Sequence, residues 1–148
     1  MAETFKAKVI GVKGDANGLA AAQYCLDQEI DLKSHQVVYV ALGDQEPNQQ
    51  LIKTLEKVPF LVVQASHVSP LTARADVVLP VENWAEVEGH YLNMEGKLLE
   101  AHRSLKPAED IRSNNDALIS LSEKLGMKAT NEWKKSLKER VPAVELVI

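Results

Sequence analysis

Four short polar turns, each directly after an apolar run, hold the residues best suited to binding chemistry. Where such runs are parallel β-strands, their carboxyl ends share one edge of a sheet, the usual ligand site of open α/β folds. Backbone N–H groups in these turns can hold phosphate or carbonyl oxygens, although ordinary turn geometry accounts for the same residue types. The four turns are Gly14-Asp15, Gly43-Asp44, Gln64-Ala65-Ser66-His67 and Pro80-Val81-Glu82-Asn83.

Residue types that bind metals or act as nucleophiles are scattered along the chain. The histidines show no metal-ligand spacing with one another or with Cys25, and no cationic neighbour is evident that would activate this thiol. We therefore assign no metal ligand and no catalytic residue. One alternative pairs Glu82 or Glu86 with His67 or His90 as general acid and base, which requires these side chains to converge in a concave pocket. The histidines are His35, His67, His90 and His102.

Composition and the remaining motifs exclude several classes of function. The chain has 148 residues, a formal net charge of −4 and one cysteine, which argues against sequence-independent nucleic-acid binding and against a disulfide framework. Gly11, Gly14 and Gly18 lack the spacing of a dinucleotide-binding fingerprint. No apolar run approaches the roughly 18 residues that cross a bilayer, and no apolar signal-peptide region follows the first residues. We therefore expect a cytoplasmic location without direct membrane insertion.

Strand and helix signals alternate along the first half of the chain. The apolar run at 36–42 is typical of a strand covered on both faces, and Ser69 before Pro70 predicts a capped helix start. Strands separated by helices imply right-handed crossovers. We predict an α/β fold with a mainly parallel sheet of about four to five strands and helices on both faces, a Rossmann-like three-layer arrangement. The predicted strands are 7–12, 36–42, 60–63 and 76–79, and the predicted helices are 19–27, 47–58 and 71–75.

The second half departs from this alternation. Residues 89–92 and 97–99 are predicted to form two arms around a turn at 93–96, within a stretch rich in carboxylates. The strongest helix pattern covers 111–125. We expect residues 1–110 to form the sheet domain, with a signature loop at 76–100, and residues 111–148 to supply C-terminal helices and a tail that pack on it. The candidate caps of the 111–125 helix are Asn114, Asn115 or Asp116 at its start and Gly126 at its end, and a polar helix at 131–140 and an extended tail at 141–148 follow.

One stretch resembles a known family. Residues 60–99 are similar to a segment of the molybdopterin oxidoreductase superfamily, in which a strand ending in Val-Val-Gln precedes a threonine-bearing loop and the motif Ala-Asp-Val-Val-Leu-Pro. The turn from Leu42 to Pro47 is similar to that family's glycine–acid–Asn–Pro turn. The matching residues are Val62-Val63-Gln64, Thr72, Ala75-Asp76-Val77-Val78-Leu79-Pro80, Glu86, Gly89, Asn93 and Glu95-Gly96.

The resemblance implies one domain of a larger oxidoreductase subunit. The superfamily includes formate dehydrogenases, nitrate reductases and the iron–sulfur G subunit of bacterial NADH–quinone oxidoreductase, respiratory complex I. The G subunit is the preferred parent and a formate dehydrogenase catalytic subunit is the second choice. The implied partners are the remaining domains or subunits of such a complex, peripheral on the inner membrane, and not nucleic acid. The alternative outside this class is a free-standing small-molecule-binding module.

The resemblance also implies a cofactor for the full-length protein. In the cofactor-bearing relatives this domain helps to hold a molybdopterin guanine dinucleotide at its strand ends. The contacts implied here are Gly43, Gln64, Gly89 and Asn93, with no cofactor in the isolated chain. The sequence has no cysteine cluster for an iron–sulfur centre, so we expect the chain alone not to catalyse redox turnover.

Three departures from the family pattern favour a member that keeps the scaffold without tight pterin binding. The loop Ser69-Pro70-Leu71-Thr72 lacks the family's common Thr-Glu-Thr. His90 stands where threonine is usual after the glycine, and Lys97 replaces the arginine of the Glu-Gly-Arg motif. Lysine cannot reproduce the planar, bidentate hydrogen bonding of arginine.

Overall fold

The computed structural model describes residues 16–26, 28–93 and 96–128. Contacts group these residues into two compact units. The first unit holds the described residues up to Gln28 together with Glu88–Ala101, and the second holds Glu29–Val87 together with residues 102–128. The predicted strand at 7–12, helix at 131–140 and tail at 141–148 lie outside the described residues.

The second unit is built on a three-stranded parallel sheet. Its strands are β1 (Val37–Gly43), β2 (Phe60–Ala65) and β3 (Val77–Pro80), in the order β1-β2-β3. All three strands coincide with predicted apolar runs to within two residues at each end, with β2 continuing through Gln64 and Ala65. Within the described residues this confirms an α/β fold with parallel strands.

Helices lie on both faces of this sheet. The connections hold α2 (Gln49–Leu55) and α3 (Pro70–Arg74), and two right-handed crossovers in one direction place both helices on the same face. On the other face the sheet is bonded by the first residue of α4 (Asn114–Lys124), which is numbered after α1 (Gly18–Gln23) of the first unit. Gln64 points to that face, because it alternates along β2 with the inward residues of the core, and its amide bonds Asn114.

The core lies between the sheet and its two connecting helices. Leu61 and Val63 of β2 and Leu71 of α3 are fully buried, and Leu55 of α2 is 2% exposed. Replacing any of these leucines by alanine removes transfer free energy and leaves a cavity, at a cost of about 2–5 kcal/mol. The rest of the buried cluster is Leu42, Val58 and Ala65.

Local side-chain hydrogen bonds set where the helices begin. At α3 the predicted cap is confirmed: Ser69 Oγ accepts from the N–H of Thr72, and Thr72 Oγ1 accepts from the N–H of Ser69. Helix α2 begins two residues after Pro47, because Asn48 caps it by accepting from the N–H of Leu51.

The cap predicted for α4 is wrong by one residue. Ser113, not Asn114, Asn115 or Asp116, caps this helix, since its Oγ accepts from the N–H of Asp116 at 3.0 Å. The side chain of Asn114 instead accepts a hydrogen bond from Gln64 of β2. The predicted end is confirmed, with Gly126 at a φ of +70° just beyond the helix.

The first unit combines α1 with an antiparallel hairpin of β4 (Gly89–Leu92) and β5 (Leu98–Ala101). The two predicted arms are thus confirmed. Asn17, in a left-handed conformation before α1, donates from Nδ2 to the carbonyl of His90 at 2.9 Å and accepts at Oδ1 from the N–H of Leu92 at 2.8 Å. The helix is shorter than predicted, because the backbone at Cys25 turns to a φ of +57°.

None of the helices in the described part of the chain combines the length and apolar character needed to span a bilayer.

Candidate functional site

The carboxyl ends of the three parallel strands form the candidate site, here called the strand-end rim: residues 43–46, 66–67 and 81–83. The register brings the first two segments together, because Gly43 of β1 pairs with Ala65 of β2. Gly43 has a φ of +59°, and apart from its two neighbours along the chain no residue has an atom within 4 Å of the position that a Cβ would take. The rim thus has open space above the end of β1.

A compact polar network joins the ends of β1 and β2. The carbonyl of Gly43 accepts from the N–H of Ser66 at 3.1 Å and from its hydroxyl at 3.2 Å. The same hydroxyl also contacts the carboxylate of Asp44 and lies 3.2 Å from His67 Nδ1. His67 Nε2 in turn lies 3.4 Å from Glu46 Oε2. Two carboxylates therefore flank this part of the rim, which can accept hydrogen bonds from N–H and O–H groups.

The end of β3 contributes a buried carboxylate. The N–H of Glu82 donates to the carbonyl of Arg112 at 3.2 Å, which extends the sheet edge beyond the strand. The side chain of Glu82 is 5% exposed, and its Oε1 lies 3.7 Å from Arg103 Nη2. A buried carboxylate needs such a partner, because an uncompensated charge is costly to desolvate.

The acid–base alternative is not assembled within this unit. Glu86 Oε2 accepts from the backbone N–H of Asn83 at 3.0 Å, and Glu82 faces Arg103. In the described part of the chain neither carboxylate hydrogen-bonds His67, whose partners are Ser66 and Glu46. Glu82 and Glu86 therefore stabilise the loop after β3 rather than forming an acid–base pair with that histidine.

Gln64 is the most buried of the four predicted cofactor contacts. It is 1% exposed, its Oε1 accepts from the hydroxyl of Tyr39, and its Nε2 donates to Asn114 Oδ1. Burial also raises the pKa of the Tyr39 phenol above its usual value, so the hydroxyl stays protonated and able to donate. Both polar ends of this amide are thus held by protein groups from β1 and α4.

The four predicted contacts divide between the two units. Gly43 and Gln64 belong to the sheet unit, whereas Gly89 and Asn93 belong to the hairpin unit. Gly89 begins β4 opposite Ala101, with no atom near its Cβ position. Asn93 shapes the turn, since its Oδ1 accepts from the N–H of Lys97 at 2.8 Å. The role of all four as cofactor contacts remains a prediction.

Several residues of the matching motif have structural roles. Thr72 completes the cap of α3. Asp76 Oδ2 accepts from the N–H of Leu61 at 2.7 Å, and its own N–H donates to the carbonyl of Leu61 at 2.9 Å, which aligns β3 with β2. The partners Tyr39, Asn114 and Arg103 were not identified from sequence, because each acts across a long separation along the chain.

The described residues do not place three His, Cys, Asp or Glu side chains where they could hold a metal ion. Within the described residues, the strand-end rim is a polar edge that carries the carboxylates of Asp44, Glu46 and Glu82.

Comparison with known proteins supports one family. The family model for molybdopterin oxidoreductase matches residues 13–124. The chain is 30% identical over 102 residues to the G subunit of NADH-quinone oxidoreductase from Rickettsia felis, which covers 66% of this chain and 14% of that protein. It is 34% identical over 74 residues to the alpha subunit of an F420-dependent formate dehydrogenase from Methanocaldococcus jannaschii, a match that covers 50% of this chain and 11% of that protein. It is 31% identical over 84 residues to a nitrate reductase of Symbiobacterium thermophilum, a match that covers 57% of this chain and 11% of that protein.

The chain therefore corresponds to a small part of each of these relatives, between 11% and 14% of their length. The family model covers well over half of the chain and includes all three parallel strands, α4 and the hairpin. On this evidence the chain belongs to the molybdopterin oxidoreductase family.

Proposed function

We propose that this chain serves as the α/β domain that lines one wall of a cofactor or pseudo-cofactor cleft in a larger oxidoreductase, with the G subunit of NADH–quinone oxidoreductase, in which the cleft holds no molybdenum, as the preferred parent. The observation that carries the proposal is the strand-end rim, which collects polar groups from consecutive turns at one edge of a sheet. Similarity to such a G subunit over 66% of the chain supports this parent. A formate dehydrogenase catalytic subunit is the second candidate, supported by 34% identity over half of the chain.

In the second candidate, a cofactor-bearing parent, the rim would hold part of a molybdopterin guanine dinucleotide. The carboxylates of Asp44 and Glu46 and the hydroxyl of Ser66 can accept hydrogen bonds from the N–H edges of a purine or pterin and from ribose hydroxyls. The same carboxylates disfavour a diphosphate at this point, since like charges repel. When bound, such a cofactor supplies two-electron redox chemistry, while the residues of this chain bind and orient its organic part.

The role of Gln64 in this proposal is indirect. Its amide is occupied by Tyr39 and Asn114, so it fixes the end of β2 beneath the rim rather than offering a free edge to a ligand. The backbone at Gly43 and the network of Ser66 are therefore the better contacts within this unit. Gly89 and Asn93, in the hairpin unit, are proposed as further contacts of the cofactor.

The proposal is tested by isolating the protein from its source with a tag placed chromosomally within this segment. A polypeptide much larger than 16.3 kDa that contains iron without molybdenum supports the complex I parent. Iron with molybdenum supports the formate dehydrogenase parent. A free polypeptide of 16.3 kDa without either metal overturns both and leaves the free-standing module. The proposed site of action, in the cytoplasm and peripheral on the inner membrane, is determined from the fraction in which the tag sediments.

The free-standing module makes its own prediction for the purified chain. Calorimetry with guanosine, which has no phosphate, should then give saturable binding that Ser66→Ala weakens, because the rim would be complete by itself. A matched control is Ser122→Ala, since this serine lies on α4 and donates to the carbonyl of Ile119. The domain proposal expects no tight binding by the chain alone.

A further inference from the structure

A second concave surface lies at the opposite end of the sheet from the strand-end rim. This amino-end cleft has a volume of about 570 Å³ and is formed where the chain enters β1 and β2. Its floor includes Gln36 and Pro59, the residues directly before the two strands, and a hydrogen bond of 3.2 Å runs from the N–H of Phe60 to the carbonyl of Gln36. A volume in this range suits a small organic molecule.

The residues that line the cleft have a net positive charge, whereas the whole chain has a net negative charge. Lys53 and Lys57, four residues apart along α2 and the turn after it, supply two ammonium groups to one wall. Among the described residues that line the cleft, Asp31 is the one carboxylate. The lining thus carries a net positive charge with neutral histidine, whereas the whole chain carries −4. This contrast favours an anionic ligand.

The interior of the cleft is apolar and held in place by the core. Leu32 packs against the buried cluster, and Val58 belongs to that cluster at 7% exposure. His35, also in the lining, is held by a contact of 2.7 Å between its Nδ1 and the carbonyl oxygen of Asp31, so this nitrogen carries the proton. A ligand with an apolar body can bury surface against this interior, with its charged end near the lysines.

We propose that the amino-end cleft binds a small organic carboxylate with an aliphatic or aromatic body, whose charged group lies between the ammonium groups of Lys53 and Lys57 and whose body packs against Leu32, Val58 and Pro59. Each exposed ion pair contributes modestly and is screened by salt. Burial of several methylene groups supplies the remaining free energy. This site is separate from the strand-end rim, so it does not depend on the proposed function.

The test uses sodium octanoate as the probe and two-dimensional ¹H–¹⁵N NMR of the full chain. Octanoate should produce saturable shifts at the amides of Leu32 and Val58. The variant Lys53→Gln/Lys57→Gln should weaken binding about fivefold, as two screened pairs of about 0.5 kcal/mol each imply. The matched control Lys106→Gln/Lys124→Gln removes two lysines outside the lining and should leave the affinity unchanged. Raising the salt concentration should weaken binding of octanoate but not of octan-1-ol.

Three results would overturn the proposal. If octanoate and octan-1-ol bind with equal affinity, both to the unsubstituted chain and to Lys53→Gln/Lys57→Gln, the charges of the two lysines do not contribute to binding. Shifts that map to Ser66 and His67 instead would place the ligand at the strand-end rim. Absence of saturable shifts in a chain whose spectrum shows it to be folded would exclude the cleft as a ligand site.

Discussion

Tyr39→Phe should destabilise the sheet unit, because it removes the hydrogen-bond donor to the side-chain amide of Gln64. The substitution removes one hydroxyl from β1 and leaves the packing of the ring in place. Gln64, 1% exposed, then loses the donor to its Oε1 while its Nε2 remains bonded to Asn114. An acceptor left buried without a donor costs about 1–3 kcal/mol, more than the net contribution of an ordinary hydrogen bond.

The expected loss follows from these contacts. Tyr39 is only partly buried, so water can reach part of the vacated space, and we expect the lower half of that range, about 1–2 kcal/mol. With a urea m-value of about 2 kcal/mol/M, the midpoint of unfolding should fall by about 0.5–1 M. Asn114→Ala removes the other partner of the same amide. The double variant should therefore cost less than the sum of the two single losses, because the two changes share one side chain.

The assay is urea unfolding followed by far-UV circular dichroism, with Tyr91→Phe as the matched control. Tyr91 is 38% exposed, and no hydrogen bond from its hydroxyl occurs in the described residues, so its loss should be close to zero. A midpoint for Tyr39→Phe that moves no further than that of Tyr91→Phe would refute the reasoning.

The same tyrosine should make stability fall at high pH. Burial raises the pKa of Tyr39 in the folded chain above its ordinary value of 10.0, so the unfolded chain loses this proton first as the pH rises. The unfolded state then binds fewer protons than the folded state, and the free energy of unfolding decreases with pH above about 10. Tyr39→Phe should show a shallower decline over that range. Equal slopes for both chains would contradict this assignment.

Three further substitutions test other positions. Gly43→Ala should lower the free energy of unfolding by about 1 kcal/mol, because a φ of +59° is unfavourable for a residue with a Cβ, and Gly43→Asn should cost less in the same urea titration. Asn17→Ala should lower the protection of the Leu92 amide in hydrogen exchange, since the acceptor of that amide is lost. Asn17→Gly removes the same acceptor while keeping the left-handed backbone accessible. Unchanged protection in both variants would contradict the contact. Ser69→Ala should cost about 1–2 kcal/mol by calorimetric unfolding, more than Ser113→Ala, because the Ser69 cap is buried and reciprocal whereas the Ser113 cap is exposed.

The strands of the parallel sheet could be predicted because their residues are locally distinctive. The run at 36–42 is continuously apolar, and a strand covered on both faces requires that composition. The start of α3 could also be predicted, since Ser69 and Pro70 each favour that position for a separate physical reason. Both signals lie within a few neighbouring residues.

The partners of buried polar groups could not be predicted in the same way. Gln64 bonds residues 25 and 50 positions away along the chain, and Asn17 bonds one 73 positions away. Such pairings depend on how complete elements pack together. The same limit explains why Ser113 caps α4: the side chain of Asn114, equally suited to capping by type, bonds Gln64 instead.

The contact of Asn17 with β4 limits where a further strand could pair with the hairpin. A side-chain amide carries one donor group and one acceptor, like the peptide unit of a neighbouring strand. By occupying the carbonyl of His90 and the N–H of Leu92, a single asparagine stands where the next strand would have to bond. At those two groups the ribbon is closed to further strands, because one side chain already occupies the acceptor and the donor that a neighbouring polypeptide would use.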